Sequence, residues 1–120
     1  MSLVVSWQGM NICELHCQEP WFSYLREGKK TVEGRLNDQE CDSIRKGDEI
    51  ELYNDKQRFR LTVTKVKKFA TLTEYLETVG LKAALPGIKT IDEGRKIYLQ
   101  FYTEEQIEQY GMLAFWVQKT

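Results

Sequence analysis

Apolar positions alternate, cluster at helical spacing and alternate again along this chain, and those changes of period mark its elements. From Asn11 to Cys17, Ile12, Cys13, Leu15 and Cys17 fall in near-alternation and predict a short strand. Pro20 follows at a first helical position, Trp21, Phe22, Tyr24 and Leu25 keep helical spacing, and Gly28 supplies the stop. Lys30 to Leu36 alternates again and predicts a strand; Asp38 to Lys46 fits a short helical turn ending at Gly47. Asp48 to Tyr53 is a strand with Ile50 and Leu52 on one face, and Asn54–Gln57 turns the chain into a long strand, Arg58–Phe69. In that strand Phe59, Leu61, Val63 and Val66 face inward, and its length predicts a bulge or bend.

After Thr71 the period changes to about 3.6 residues, the helical repeat. Thr71-Leu72-Thr73-Glu74 resembles a capping box for a helix ending near Gly80, with Leu72, Tyr75 and Leu76 on its buried stripe. A short turn over Leu81–Leu85 runs into Pro86-Gly87. Thr90 then opens a second helix carrying Ile91, Gly94, Tyr98 and Phe101, and Thr103 opens a third that stops at Gly111. Met112 to Gln118 closes the chain as a buried strand. Strands separated by short helices, with a hairpin at the centre, predict an α+β domain built around a small β-barrel. Residues 1–10 read as an N-terminal extension and residues 11–120 as one cooperative domain.

Composition narrows the class. With 120 residues and 42% hydrophobic content, the chain is long enough for one core without disulfide or metal staples. No apolar run approaches the roughly 20 residues a bilayer demands, so no membrane helix is expected. The opening residues lack the basic and apolar regions of a secretory signal, and the expectation is an intracellular, cytoplasmic protein. The 3 cysteines, Cys13, Cys17 and Cys41, form no CxxC pair. On a strand over 11–17, Cys13 and Cys17 share one face and His16 takes the other, which argues against a metal site; no metal or cofactor is expected. The net charge is −1, yet Arg58, Arg60, Lys65, Lys67 and Lys68 form a run without an acid. Such a run can track a nucleic-acid backbone or simply wet the outer side of a strand.

The candidate chemistry lies in Gly28-Lys29-Lys30-Thr31-Val32-Glu33-Gly34-Arg35. On the strand, Glu33 and Arg35 share a face with Thr31, and Lys30 sits at the corner where its ammonium can swing over them. Two cations and a carboxylate can bind a phosphate, a ribose or a base edge, with Glu33 orienting Arg35. Gly34 permits close approach of a ligand or a neighbouring strand. A surface Glu33–Arg35 pair would account for the same residues without any function.

The same stretch resembles the GxKxxExR signature of the ASCH domain family of the PUA-like superfamily, matched by Gly28, Lys30, Glu33 and Arg35. Glu14-Leu15, Gln18-Glu19-Pro20-Trp21-Phe22, Ile44-Arg45-Lys46-Gly47-Asp48, Tyr75-Leu76, Leu85-Pro86-Gly87, Tyr102 and Tyr110-Gly111 continue the similarity over about residues 12–118, as in small stand-alone members. The resemblance implies a PUA-like β-barrel with flanking helices and a cleft floored by the signature residues. It implies RNA or nucleotide-like ligands, in RNA metabolism or transcription coregulation, and no membrane partner. Some branches are hydrolases: one deacetylates acetylated cytidine, another is a ribonuclease. In the amidohydrolase branch a lysine equivalent to Lys30 activates a threonine, where this chain has Glu33, so the nucleophile is missing from that place.

Two function classes therefore stay open. As a binding module, Lys30 and Arg35 contact phosphate or carbonyl oxygens and Glu33 accepts from a base or ribose of RNA or a modified nucleoside. Gln18, Trp21 and Tyr102 complete the expected ligand set, with Trp21, Tyr24 or Tyr102 offering a stacking face. As an enzyme, Lys30 is the base, Thr31 the nucleophile, and Glu33 or Glu105 orients water; His16 is the weaker candidate. A third reading, a protein-interaction domain with a vestigial cleft, predicts neither binding nor turnover.

Overall fold

The carboxy-terminal strand organises the molecule. A computed structural model describes residues 4–7 and 10–120. Its strands are β1 (Val4–Trp7), β2 (Met10–His16), β3 (Val32–Leu36), β4 (Glu49–Tyr53), β5 (Arg58–Phe69) and β6 (Met112–Lys119). Its helices are α1 (Trp21–Glu27), α2 (Leu72–Val79), α3 (Leu81–Ala84), α4 (Ile91–Tyr98) and α5 (Glu104–Tyr110). One six-stranded sheet runs β1-β2-β4-β5-β6-β3, so β6 lies inside it and β3 forms an edge. Among the described residues only the β2–β4 pairing is parallel.

The run Met112–Val117 is apolar throughout because β6 is covered on both faces. Leu113 and Phe115 join a core with Cys13, Leu15, Ile50 and Leu52, closed by Phe22 and Leu25 of α1. Met112 and Ala114 join a second core with Phe69, Leu72, Tyr75 and Leu76, closed by Tyr98 and Ile107. The architecture is α+β, a curved half-barrel sheet with flanking helices; β1 and β3 end the strand order instead of closing it. Val4–Trp7, within the expected extension, pairs antiparallel with Met10–Cys13 and adds a strand to the sheet.

The expected irregularity in β5 is a bulge between Val63 and Lys65. The extra residue, Thr64, reverses the alternation, so Val66 packs on the same core as Leu61 and Val63 despite its odd spacing. The helix starts follow their threonines: Thr71, Thr90 and Thr103 each accept from the main-chain N–H three residues on. The full reciprocal box is at Thr103–Gln106.

Three local expectations change. Pro20, after a cis Glu19–Pro20 peptide, caps α1 instead of opening it. The Glu19 carboxylate accepts from the N–H of Ser23 at 3.0 Å. Asp38–Lys46 forms hydrogen-bonded turns without a helix. Only Cys41 and Ile44 are buried there, too few anchors for a continuous apolar stripe, and Asp38 caps Glu40 N–H locally. Finally, α4 ends at Tyr98, and Phe101 lies beyond it, 45% exposed.

Candidate ligand-binding site

The signature residues converge because a helix stop and a strand edge meet. Gly28 takes φ +81°, a left-handed conformation that favours glycine, and ends α1. The N–H groups of Lys29 and Lys30 then both donate to the Tyr24 carbonyl, which turns the chain sharply into β3. From that corner Lys30 folds inward. Its ammonium lies 3.4 Å from Glu33 Oε1 and donates to the Val32 carbonyl at 2.6 Å and to the Ala84 carbonyl. Glu33 and Arg35 share a face of β3, as the alternation predicts. Arg35 Nε and Nη2 lie 2.9 and 2.7 Å from Glu33 Oε2, and Nη2 also donates to the His16 carbonyl at 2.7 Å.

These groups form a buried triad, with side-chain exposures of 2% for Lys30, 8% for Glu33 and 14% for Arg35. Burial alone would raise the Glu33 pKa, but Arg35 and Lys30 outweigh it and hold the carboxyl below its ordinary value. For Lys30 burial dominates and lowers the pKa, with Glu33 opposing. Arg35 is held firmly protonated, because Glu33 overcomes its burial. With all three ionised, the cluster carries a net charge of about +1, from two cations and one anion.

A cavity of about 210 Å³ opens over the triad. His16, Cys17 and Gln18 at the end of β2 form one side, and Trp21 of α1 extends it. Tyr98, Phe101 and Tyr102 also line the cavity. Thus Lys30, Glu33, Arg35, Gln18, Trp21 and Tyr102 all line one space. Burial pushes both the Cys17 thiol and the Tyr102 hydroxyl up to about 12.

Other candidates lie elsewhere. Thr31 is exposed and does not line the cavity; its N–H donates to the Ala83 carbonyl and its carbonyl accepts from Val117. The geometry therefore gives no support to Thr31 as a nucleophile. Glu105 is exposed on α5, away from the cavity lining. Tyr24 is also outside that lining, where Lys29 Nζ lies 5.7 Å from its ring centroid. His16 reaches the rim, its ring edge-on to Tyr53 at 5.4 Å. The basic run is divided: Arg58 pairs with Glu14 and Glu51, Arg60 with Glu49 and Glu51, and Lys65 lies over the Trp116 ring at 4.6 Å. No residue of that run lines the cavity. Among the described residues no group of His, Cys, Asp and Glu is arranged to hold a metal.

Sequence reasoning missed Tyr98, which lines this cavity, and its buried hydrogen-bond partner Tyr75. A Cβ on Gly34 would sit 2.2 Å from the Tyr75 hydroxyl oxygen and 2.9 Å from that of Tyr98. The two hydroxyls are hydrogen-bonded to each other at 2.7 Å. What Gly34 admits is therefore a tyrosine pair from α2 and α4, where a ligand or strand was expected. The only signal for it was the glycine itself, placed between two charged residues.

A curved half-barrel sheet with flanking helices is the PUA-like fold. The chain belongs to the ASCH domain family, whose model matches residues 15–120. The crystal structure of a hypothetical protein, PH0355, is 36% identical, with a TM-score of 0.83 over 89% of this chain and 97% of that one. The solution NMR structure of a Pyrococcus furiosus protein is 34% identical, with a TM-score of 0.73 over 88% of this chain and 94% of the other. A mutant of ZmASCH from Zymomonas mobilis superimposes with a TM-score of 0.63 over 90% of this chain and 68% of its own. At 12% identity it speaks for the fold alone. No curated protein matches the chain. No helix among the described residues is long and apolar enough to cross a membrane.

Proposed function

We propose that the cleft binds one unstacked nucleoside unit, either free and modified or presented by an RNA strand. The observation that carries this reading is the size and lining of the cavity together. At about 210 Å³ it falls below the roughly 300–1,000 Å³ of sites for drug-sized ligands, which suits a single base better than a stacked strand. Its floor is cationic, and Trp21 and Tyr102 offer aromatic faces, the combination that recognises splayed-out bases. Stacking on such a face contributes about 1–3 kcal/mol per base. Arg35 is pre-oriented by Glu33 and the His16 carbonyl, so little of its freedom is lost on contact with a carbonyl or phosphate oxygen.

Binding is favoured over turnover by what the candidate nucleophiles and base are doing. The Lys30 ammonium is committed to two carbonyls and Glu33, and so holds β3 against the end of α3 instead of presenting a lone pair. The Cys17 thiol stays protonated at neutral pH, and Thr31 is outside the cleft. The test is a calorimetric panel of nucleosides and short RNAs at low salt, with chromatography for products. Saturable binding weakened by Arg35→Gln, without product, supports the proposal. Product formation abolished in Lys30→Ala would establish a hydrolase instead, and no binding to any panel member would refute both.

A further inference from the structure

The cleft has a floor that its side chains do not account for: the free edge of β3. Thr31 accepts from Val117 and Asn37 donates to Gly111, which fixes the phase of the antiparallel β3–β6 ladder. In that phase Glu33 and Arg35 spend their main-chain groups on Phe115 and Leu113. Val32, Gly34 and Leu36 point theirs the other way, where no strand follows because β3 ends the sheet.

At two of these three positions the main-chain group next to Gly34 is covered by a side chain. The Val32 carbonyl accepts from Lys30 Nζ at 2.6 Å. At Leu36 the main chain lies beside the Tyr102 hydroxyl and favours its ionised form. Between them, the N–H and C=O of Gly34 have no hydrogen-bond partner among the described residues, and Gly34 lines the cavity. Having no side chain, it can line the cavity only with main-chain atoms. In an extended residue the N–H and C=O point the same way, side by side, as a donor and an acceptor.

We infer that the Gly34 main chain is a two-point reading head for one planar group carrying a donor and an acceptor on adjacent atoms. The Watson–Crick edges of nucleobases carry such pairs: the imide N–H and carbonyl of uracil, or the amino group and ring nitrogen of adenine. Lys30 on the Val32 carbonyl and Tyr102 beside the Leu36 main chain limit the opening to a single such unit. An added β-strand would need successive edge groups, so peptide augmentation does not fit. Lys30 and Tyr102 are positioning residues in this scheme, since they sit on either side of Gly34, the one of these three edge residues that lines the cavity. The inference rests on the nucleoside reading of the cleft and specifies which edge of the base is read.

Methylated nucleosides test it without altering the protein. Uridine and 3-methyluridine, and adenosine and N6,N6-dimethyladenosine, are titrated into 15N-labelled protein, with 2-pyridone as a minimal donor–acceptor probe. The expected result is a saturable downfield shift of the Gly34 amide proton, with binding of the preferred nucleoside weakened about ten-fold or more by methylation. Equal affinity for both members of each pair, with the Gly34 amide unmoved while cleft side chains respond, would overturn the edge reading and leave the nucleoside site standing. No response to any nucleoside or to 2-pyridone would overturn both.

Discussion

Replacing Glu33 with Gln tests whether the triad is an electrostatic unit. The substitution keeps the shape of the side chain and removes the only anion, among the described residues, paired with Lys30 and Arg35, at 3.4 and 2.7 Å. Two cations, exposed by only 2% and 14%, are left without compensation. Breaking a buried pair in this way typically costs about 3–5 kcal/mol. At 120 residues each kcal/mol is worth roughly 4 °C, so Tm should fall by about 12–20 °C. The loss should depend on pH in a defined direction. The Lys30 pKa is already below its ordinary value in the folded protein, and Glu33 is the main influence holding it up. Without Glu33 it falls further, so between the folded and unfolded values the unfolded chain binds more protons. The variant should therefore gain stability as pH rises through that interval, by up to about 1.4 kcal/mol per pH unit. In the wild type the lowered Glu33 pKa works at the acid end: its contribution is present above the ordinary glutamate value of about 4.3 and is lost as pH falls through the folded value. Urea titrations of both proteins from about pH 2 to 9 read all of this. A variant within about 1 kcal/mol of wild type, with parallel pH profiles, would refute the coupling.

Other consequences are more local. Gly34→Ala places a methyl group against the Tyr75–Tyr98 hydroxyls and should cost about 1–3 kcal/mol by overpacking; a wild-type thermal melt would show that the tyrosine pair yields freely. Cys17 and Cys41 are buried, and both thiols are pushed up in pKa. Iodoacetamide followed by mass spectrometry should find them unmodified in the native protein at neutral pH and modified in urea. Thr103→Ala removes one half of the reciprocal cap on α5 and should cost about 1 kcal/mol in a denaturant titration, with no effect attributable to the cleft. Arg58→Ala and Arg60→Ala should leave nucleoside binding unchanged in calorimetry, since both side chains are exposed, paired with acids of the β2–β4 surface and remote from the cavity lining.

Most element boundaries were legible because they are set by neighbours in the chain. Alternation located β2, β4 and β5, threonine caps located α2, α4 and α5, and the apolar run after Gly111 located β6. Asp38–Lys46 was misjudged because polar spacing there suits a helix locally, whereas only Cys41 and Ile44 find a core to bury against. Glu33 and Arg35 were placed on one face by strand periodicity alone, and Lys30 by the corner before them. Their convergence with Gln18, Trp21 and Tyr102 followed from family resemblance, not from spacing.

What the sequence could not determine is which groups meet when distant segments close over an edge. That Tyr98 of α4 and Tyr75 of α2 rest above Gly34, and that Lys30 and Tyr102 occupy the main-chain positions on either side of it, depends on helices docking 40 or more residues downstream. Local pattern reports the period of a segment and the face it buries. It carries no record of strand order, and strand order is what leaves β3 at the end of the sheet, with Gly34 lining the cleft.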